Sequence, residues 1–248
     1  MKSIILAAGM GTRLGQITKD IPKCLLEINN KSLLSYSLDI LKEYGINEVI
    51  IVIGYKGNRI KDKIGNSYGN MNIKYVDNER FFETGSMYSL SKTEGIIADS
   101  VLILESDLIY SRKAIETLLQ SSHKDVILAS DPLDSGDDVY IRTEQHKLVD
   151  LGKKISTDKK DIYGVLVGIS KFSHEFMTSL FAKAKNDYSQ GKINFHYEEC
   201  ILETSKIGYP VYVELLRNLN WIEIDNSSDY KQAVDKVYPK IKGELNGN

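Results

Sequence analysis

The chain has 248 residues, of which 32 are Lys or Arg and 34 are Asp or Glu, so its formal net charge is −2. The balanced charge excludes broad nucleic-acid binding and polybasic membrane binding, because both depend on an excess of basic residues. Hydrophobic residues make up 42% of the chain and charged residues 27%, which is typical of a globular α/β protein with a buried core.

Nothing in the chain predicts a zinc site, a signal peptide or a transmembrane helix. The two cysteines, Cys24 and Cys200, form no CxxC pair, which favours a reduced, cytoplasmic setting. The apolar run at the N-terminus covers only residues 4–8, which is too short for the core of a signal peptide. A run of about 18 apolar residues, the length that a membrane span needs, does not occur.

Short apolar runs alternate with amphipathic segments through the first half of the chain. We predict buried strands over residues 3–8, 48–53, 72–76, 100–104 and 125–129, and helices over residues 31–44 and 111–120. This βαβαβ order predicts an α/β fold with a mostly parallel central sheet and helices on both faces.

The second half is less regular. We predict a turn cluster at residues 134–138, a solvated loop at 153–161 and a frayed tail at 244–248. Strands are predicted over residues 139–143, 147–151, 164–170, 211–215 and 221–224, and helices over residues 173–188 and from Ser227 onward. No repeat or linker interrupts the chain, so we predict one domain over residues 1–248.

A glycine-rich loop, Leu6-Ala7-Ala8-Gly9-Met10-Gly11-Thr12-Arg13-Leu14, follows the first predicted strand. The carboxyl ends of parallel strands are where open α/β sheets bind ligands. Glycines 9 and 11 allow backbone N–H groups to approach phosphate oxygens, and Arg13 and Lys23 add positive charge from two sides. The loop lacks the ending of a Walker A motif and the third glycine of the dinucleotide fingerprint, so a plain tight turn is the alternative.

The string LAAGMGTRL, followed by PKCLLEINNKSLLSYSLDILKEYGINEVIIVIGY, resembles the N-terminal signature of nucleotidyltransferases that activate sugar phosphates and small alcohol phosphates. That family has a Rossmann-like fold and joins an NTP to a phosphorylated acceptor with release of pyrophosphate. The resemblance implies that Arg13 and Lys23 are the catalytic cations, with Lys23 close to the α-phosphate and the acceptor phosphate. The nucleotide-binding residues that it implies in this loop are Leu6, Ala7, Ala8, Gly9, Gly11, Thr12 and Arg13.

Two aspartates follow predicted strands and are candidate metal ligands. Asp107 ends the run Leu-Ile-Leu-Glu-Ser-Asp, and Asp225 follows the strand at residues 221–224. Mg²⁺ prefers carboxylate oxygens, but a turn residue and a helix cap are the respective alternatives. Glu105 competes with Asp107, although strand alternation sends Glu105 to the opposite face from Ser106. The resembling family carries its Mg²⁺ pair at these two places, which implies Asp107 and Asp225 as ligands.

The segment Thr84 to Leu90 (TGSMYSL) lies between the third predicted strand and a helix. In the resembling family this position reads the nucleobase, which implies Gly85 and Ser86, whereas an ordinary helix N-terminus is the alternative. The strings TGSMYSL, LESDLIY and YGVLVGISKFS are most similar to 2-aminoethylphosphonate cytidylyltransferases, and next to bacterial phosphocholine cytidylyltransferases.

The acceptor of such enzymes carries a cationic end that carboxylates or an aromatic face would bind. The run His196-Tyr197-Glu198-Glu199 offers both groups, so we expect Tyr197, Glu198 and Glu199 to contact the acceptor, with Glu83 as a weaker candidate. The alternative is a helix whose first turn is rich in Glu, which the helix dipole favours.

The sequence therefore predicts a Mg²⁺-dependent enzyme that transfers CMP from CTP to 2-aminoethylphosphonate. The alternatives are phosphocholine or a sugar or polyol phosphate as the acceptor, and a nucleotide-sensing regulatory module without turnover. We expect residues 1–130 to form the nucleotide-binding half and residues 131–248 to supply the acceptor site and the second metal ligand. Neither a nucleic-acid nor a membrane partner is expected, and the oligomeric state stays open, with a homodimer among the options.

Overall fold

The computed structural model of the chain describes residues 1–133, 136–155 and 161–246, and of these it leaves out the side chains of residues 16, 17, 245 and 246. The predicted turn cluster, the charged loop and the tail thus lie partly outside the described residues. The strands in chain order are β1 (Lys2–Ala7), β2 (Glu27–Ile28), β3 (Lys31–Ser32), β4 (Glu48–Ile53), β5 (Ser67–Tyr68), β6 (Met71–Asp77), β7 (Val101–Glu105), β8 (Leu108–Tyr110), β9 (Val126–Ser130), β10 (Tyr140–Glu144), β11 (Lys147–Gly152), β12 (Gly164–Phe172), β13 (Tyr212–Leu215) and β14 (Trp221–Glu223).

Helices cover both faces of the sheet that these strands form. The helices are α1 (Leu33–Glu43), α2 (Gly57–Ile64), α3 (Ser86–Ser91), α4 (Lys113–Gln120), α5 (His174–Ser189), α6 (Tyr197–Lys206), α7 (Ser227–Gln232) and α8 (Tyr238–Asn246). Two 3₁₀ segments, Thr12–Thr18 and Lys23–Leu25, follow β1, and a π-helical segment, Ala233–Val237, joins α7 to α8. Among the described helices, none is both long and apolar enough to cross a bilayer.

Ten of the described strands form one mixed sheet in the order β10-β11-β13-β9-β12-β7-β1-β4-β6-β5. The strands β6, β4, β1 and β7 are parallel, as the continuous apolar runs of the first half predict. In the second half β12 inserts antiparallel between β7 and β9, and β10 and β11 form a hairpin. The α/β fold is confirmed, and both halves of the chain contribute to the same sheet.

The core has two apolar layers, one on each face of this sheet, and a third apolar cluster around the pair β8 and β14. Successive residues of a strand point to opposite faces, so Ile4 packs into one layer and Ile5 into the other. In the same way Leu102 and Leu104 of β7 pack on one face while Ile103 packs on the other. All of these side chains are fully buried, which holds the carboxyl ends of β1 and β7 in fixed positions.

Two of the predicted helices begin at a serine cap. The Ser32 hydroxyl accepts a hydrogen bond from the Ser35 N–H at 3.1 Å, and the Ser173 hydroxyl accepts one from the Phe176 N–H at 3.2 Å. Helix α1 begins two residues later than predicted because Lys31–Ser32 pairs with Glu27–Ile28 in a short hairpin. Helix α2 was not predicted, whereas α3 and α6 begin where the sequence analysis gave a helix start as the alternative.

Candidate active site

A cavity of about 450 Å³ opens at the carboxyl ends of β1 and β7. Its size suits a small-molecule ligand. It lies at the carboxyl ends of parallel strands, where open α/β sheets bind nucleotides. The cavity wall contains all the predicted nucleotide-binding residues, namely Leu6, Ala7, Ala8, Gly9, Gly11, Thr12, Arg13, Gly85 and Ser86. It also contains Lys23, Asp107, Asp225 and Glu198, whereas Tyr197, Glu199 and Glu83 do not line it.

The glycine loop turns back over Lys23 directly after β1. Gly11 has a φ of +60°, a left-handed conformation that side chains other than glycine rarely adopt. A Cβ atom on Gly11 would lie 3.1 Å from the Lys23 Cβ, so the loop and the lysine are packed together. A Cβ atom on Gly9 would meet no protein atom within 4 Å, because Gly9 faces open space. The backbone at Gly9 is therefore accessible to a ligand.

Lys23 and the two predicted metal ligands meet at the centre of the cavity. The Lys23 Nζ lies 2.6 Å from Asp107 Oδ2 and 2.6 Å from Asp225 Oδ1. Burial lowers the pKa of the Lys23 ammonium, but the neighbouring carboxylates of Asp107, Asp225 and Glu223 outweigh burial and raise that pKa above its ordinary value. Lys23 therefore carries a full positive charge in this cavity.

A small antiparallel ribbon brings the two aspartates together from distant parts of the chain. Strand β8 follows Asp107 and pairs with β14, which precedes Asp225. The ribbon continues one step further, because the Ile224 N–H donates to the Asp107 carbonyl oxygen at 3.0 Å. Local sequence patterns contain no signal for this pairing, since the two segments are far apart in the chain.

The Asp225 side chain does not cap helix α7, so the helix-cap alternative is wrong. The cap of α7 is the Asn226 side chain, which accepts from the N–H groups of Ser228 and Asp229. The Asp229 carboxylate in turn accepts from the Asp225 N–H at 2.9 Å and from the Asn226 N–H at 3.1 Å. The Asp225 carboxylate is thus available to the cavity.

Arg13 lies at the mouth of the cavity, where half of its side chain is exposed. Its guanidinium pairs with Asp137 and, at 2.8 Å, with Asp225. Burial alone lowers the pKa of Arg13, but the charges of Asp225 and Asp137 raise it overall. The arginine and Lys23 therefore approach the same aspartate from two sides, at the end of the glycine loop.

Further carboxylates surround Asp107. Glu105, Asp107 and Glu223 each offer an oxygen, and these oxygens lie within 4.8 Å of one another. Burial and the repulsion of neighbouring carboxylates raise the pKa of Glu105 to about 8 and that of Glu223 to about 10. The Asp107 Oδ1 is buried and has no hydrogen-bond partner among the described residues. A half-buried set of oxygen donors with one buried, unpaired atom fits a hard divalent cation.

Glu105 was expected to be second to Asp107 as a metal ligand, and Glu223 was not predicted. A usable signal existed, because Glu105 and Asp107, like Glu223 and Asp225, are two positions apart at the end of a strand and share a face. Gly168 was a second signal for a functional role of this region, since a glycine within a strand often marks a bulge or the close approach of another group to the backbone. Its φ is +79°, and a Cβ atom there would lie 2.7 Å from Glu105 Oε2. The bulge in β12 therefore makes room for the Glu105 carboxylate.

The first turn of α3 is held against the segment that leads into α6. The Gly85 N–H donates to the Ile193 carbonyl at 3.2 Å, and the Met87 N–H donates to the Phe195 carbonyl at 3.3 Å. Ser86 Oγ accepts from the Tyr197 N–H at 3.0 Å. The Gly85 amide, which the resemblance assigned to the nucleobase, is therefore already paired.

The residues predicted for the acceptor take different places. Tyr197 is 1% exposed, and its hydroxyl donates to Glu105 Oε1 at 3.0 Å, so its ring packs in the core and its oxygen orients that carboxylate. Glu198 lines the cavity, and its Oε2 is buried without a hydrogen-bond partner among the described residues. Burial also raises the pKa of Glu198.

The other two predicted acceptor residues point elsewhere. Glu199 accepts from the His196 N–H at 3.3 Å, as the capping side chain of α6. Glu83 accepts from the Arg80 guanidinium at 2.6 Å on the exposed surface. His196 and Trp221, which sequence reasoning did not assign, do line the cavity.

Comparison with known protein families matches residues 3–170 to the MobA-like NTP transferase domain. The choline-phosphate cytidylyltransferase of Streptococcus pneumoniae is 29% identical over 236 residues, which cover 95% of this chain and 97% of that protein. The CTP:phosphoglutamine cytidylyltransferase of Campylobacter jejuni is 26% identical, and the match covers 95% of this chain and 100% of that protein. The CMP-5′-(3-aminopropyl)phosphonate synthase of Streptomyces rubellomurinus is 23% identical over 96% of this chain and 39% of its own length.

Among solved structures, the inositol-1-phosphate CTP transferase from T. maritima has a TM-score of 0.80 and 20% identity, and the match covers 97% of this chain and 96% of that chain. This likeness confirms the α/β fold. The family model matches well over half of the chain, so the family expected from the glycine loop is confirmed as well. The chain belongs to the family of the MobA-like NTP transferase domain and is a nucleotidyltransferase.

Proposed function

We propose that the chain is a cytidylyltransferase, which transfers CMP from CTP to a small acceptor with an anionic phosphonate or phosphate at one end and a primary ammonium at the other. The acceptor that we name first is 2-aminoethylphosphonate. Three relatives described above are named for CTP or CMP transfer, which supports the choice of nucleotide. In this proposal residues 1–130 bind the nucleotide, and residues 131–248 supply the acceptor site and the second metal ligand.

The observation that carries the acceptor is an unpaired carboxylate oxygen in the cavity wall. Glu198 lines the cavity, and its Oε2 is buried without a partner among the described residues. An unpaired buried acceptor atom is costly, and a bound donor would relieve that cost. A primary ammonium offers three N–H donors, whereas a quaternary ammonium offers none. Glu198 therefore favours a primary amine.

The residues of the cavity have separate tasks in the proposed transfer. The acceptor oxygen is already anionic, so it attacks the α-phosphorus of CTP without a strong general base, and the bond to the β-phosphate breaks to release pyrophosphate. Lys23 and Arg13 neutralise charge on the phosphates, and the glycine loop orients them. Asp107 and Asp225 would hold a Mg²⁺ ion, which neutralises phosphate charge when bound.

The proposal is tested by measuring pyrophosphate release with four NTPs against a panel of acceptors. The panel contains 2-aminoethylphosphonate, phosphocholine, several sugar phosphates and ethylphosphonate, which lacks only the amine. We expect the highest kcat/KM with CTP and 2-aminoethylphosphonate, and a loss of about ten-fold or more with ethylphosphonate. Equal kcat/KM values for these two phosphonates would contradict recognition of the amine.

Phosphocholine is the second candidate, because an aromatic side chain of β14 also lines the cavity. Trp221 contributes to the wall beside Glu223, and an aromatic face binds a quaternary ammonium through a cation–π contact. Higher kcat/KM with phosphocholine than with 2-aminoethylphosphonate, together with a loss in Trp221→Leu, would favour this candidate. In that case the transfer chemistry is the same, and the acceptor carries a quaternary ammonium in place of a primary one.

A further inference from the structure

The ammonium group of Lys23 lies between the two aspartates that we expect to bind the metal. Its Nζ is 2.6 Å from an oxygen of Asp107 and 2.6 Å from an oxygen of Asp225, so one cation bridges both carboxylates. The three side chains are mostly buried, with 12%, 19% and 9% of their surface exposed. Solvent ions therefore screen these two ion pairs only weakly.

A divalent cation on the same aspartates would lie beside the Lys23 ammonium group even if it used the unpaired Asp107 Oδ1, because Lys23 contacts the other oxygen of that carboxylate. Mg²⁺ binds carboxylate oxygens at about 2.0–2.1 Å, and an ammonium nitrogen lies only slightly farther from its acceptors, at about 2.7–2.9 Å. Two positive charges side by side in a partly buried site repel each other strongly. Lys23 and a metal ion are therefore alternatives at this pair of carboxylates.

The aliphatic part of the Lys23 side chain packs against the glycine loop. Phosphates bound at this loop would therefore be a second set of anions within reach of the ammonium group. A Cβ atom on Gly11 would lie 3.1 Å from Lys23 Cβ and 3.6 Å from Lys23 Cδ. A lysine side chain carries a point charge on a flexible stem of four carbons. With phosphates bound at the loop, the ammonium group can reach them by rotation of its own side chain.

We propose that Lys23 is the resident cation of this site and neutralises Asp107 and Asp225 until the phosphates of a nucleotide draw its ammonium group away. The inference rests on the proposed binding of a nucleotide at the glycine loop. Arg13 also pairs with Asp225, but it is half-exposed, whereas Lys23 is mostly buried and contacts both aspartates. A divalent cation enters together with the nucleotide, because the nucleotide removes the charge of Lys23. Metal alone therefore binds weakly, and nucleotide and metal bind with positive coupling.

The test measures Mn²⁺ binding to the protein without nucleotide, from the loss of the electron paramagnetic resonance signal of the free ion. Lys23→Met removes the ammonium group and keeps an unbranched side chain, so we expect it to bind Mn²⁺ about ten-fold or more tightly than the wild type. Lys153→Met is the matched control, because Lys153 also lines the cavity but pairs with Asp137 at 2.8 Å. We expect this control to change the affinity by less than about three-fold.

Two results would overturn the proposal: a wild-type affinity for Mn²⁺ equal to that of Lys23→Met, or an equal gain in Lys153→Met. Circular dichroism and urea unfolding check that the variants are folded, and Lys23→Gln replaces Lys23→Met if the latter fails to fold. Neither CTP nor an acceptor is present in this measurement. A negative Mn²⁺ result therefore leaves the proposed reaction standing, and an absence of CTP turnover leaves the Mn²⁺ result interpretable.

Discussion

Replacing Gly85 by alanine tests whether the contact between α3 and the segment before α6 shapes the cavity. An alanine Cβ would lie 2.0 Å from the Phe195 carbonyl oxygen, and 2.5 Å and 2.6 Å from the carbonyl carbon and the amide nitrogen of Phe195. Because all three atoms belong to the backbone, only a movement of the two segments apart can relieve the overlap. That movement would strain the hydrogen bonds that the segments share through Gly85, Met87 and Ser86.

The expected cost follows from these contacts. Overpacking a tight contact costs about 1–3 kcal/mol, and each of the three hydrogen bonds contributes about 1 kcal/mol. We therefore expect Gly85→Ala to lower the free energy of unfolding by about 2–5 kcal/mol. The same displacement moves His196 and Glu198, which line the cavity, so the KM for the acceptor should rise as well.

Urea unfolding and steady-state kinetics measure the two effects. Gly9→Ala is the control, because its Cβ would meet no protein atom within 4 Å. We expect Gly9→Ala to be as stable as the wild type but to turn over slowly, since the methyl group would occupy the space proposed for phosphate. A Gly85→Ala protein with wild-type stability and wild-type kinetics would refute the reasoning from the backbone contact.

Three other changes test the site and the core. Lys23→Ala and Asp107→Ala should each lower kcat by about 10²–10³-fold while the circular dichroism spectrum stays that of the wild type, and near-normal kcat in either would remove that residue from the mechanism. Glu198→Gln should raise the KM for an amine-bearing acceptor by about ten-fold or more and leave the KM for CTP unchanged, whereas Glu199→Gln, outside the cavity, should change neither KM. Burial raises the pKa of Tyr75 to about 12, while an unfolded tyrosine titrates near pH 10. The Tyr75 contribution to stability is therefore complete below about pH 10 and is lost as the pH rises towards 12, so urea midpoints at pH 9 and pH 11 should differ less in Tyr75→Phe than in the wild type.

Signals within a few residues were enough for much of the fold and for part of the site. The strand predicted at residues 48–53 agrees with β4, since a parallel strand buried on both faces is a continuous apolar run. The glycine loop was recognised from the resemblance of the whole string to a family signature, because its glycines alone are also typical of a plain tight turn. Asp107 and Asp225 were candidates from their positions after strands and were predicted as metal ligands from the family resemblance, and they do lie within reach of one ammonium group.

The remaining features depend on contacts between distant segments. The pairing of β8 with β14 sets the distance between Asp107 and Asp225, and it also brings Glu223 to the acidic cluster. Tyr197 was predicted to contact the acceptor, but the packing of α6 buries its ring and directs its hydroxyl to Glu105. Hydrophobic periodicity specifies which face of an element a residue occupies. Which side chain lies opposite depends on how the whole chain buries its apolar surface, and that free energy is not local to any segment.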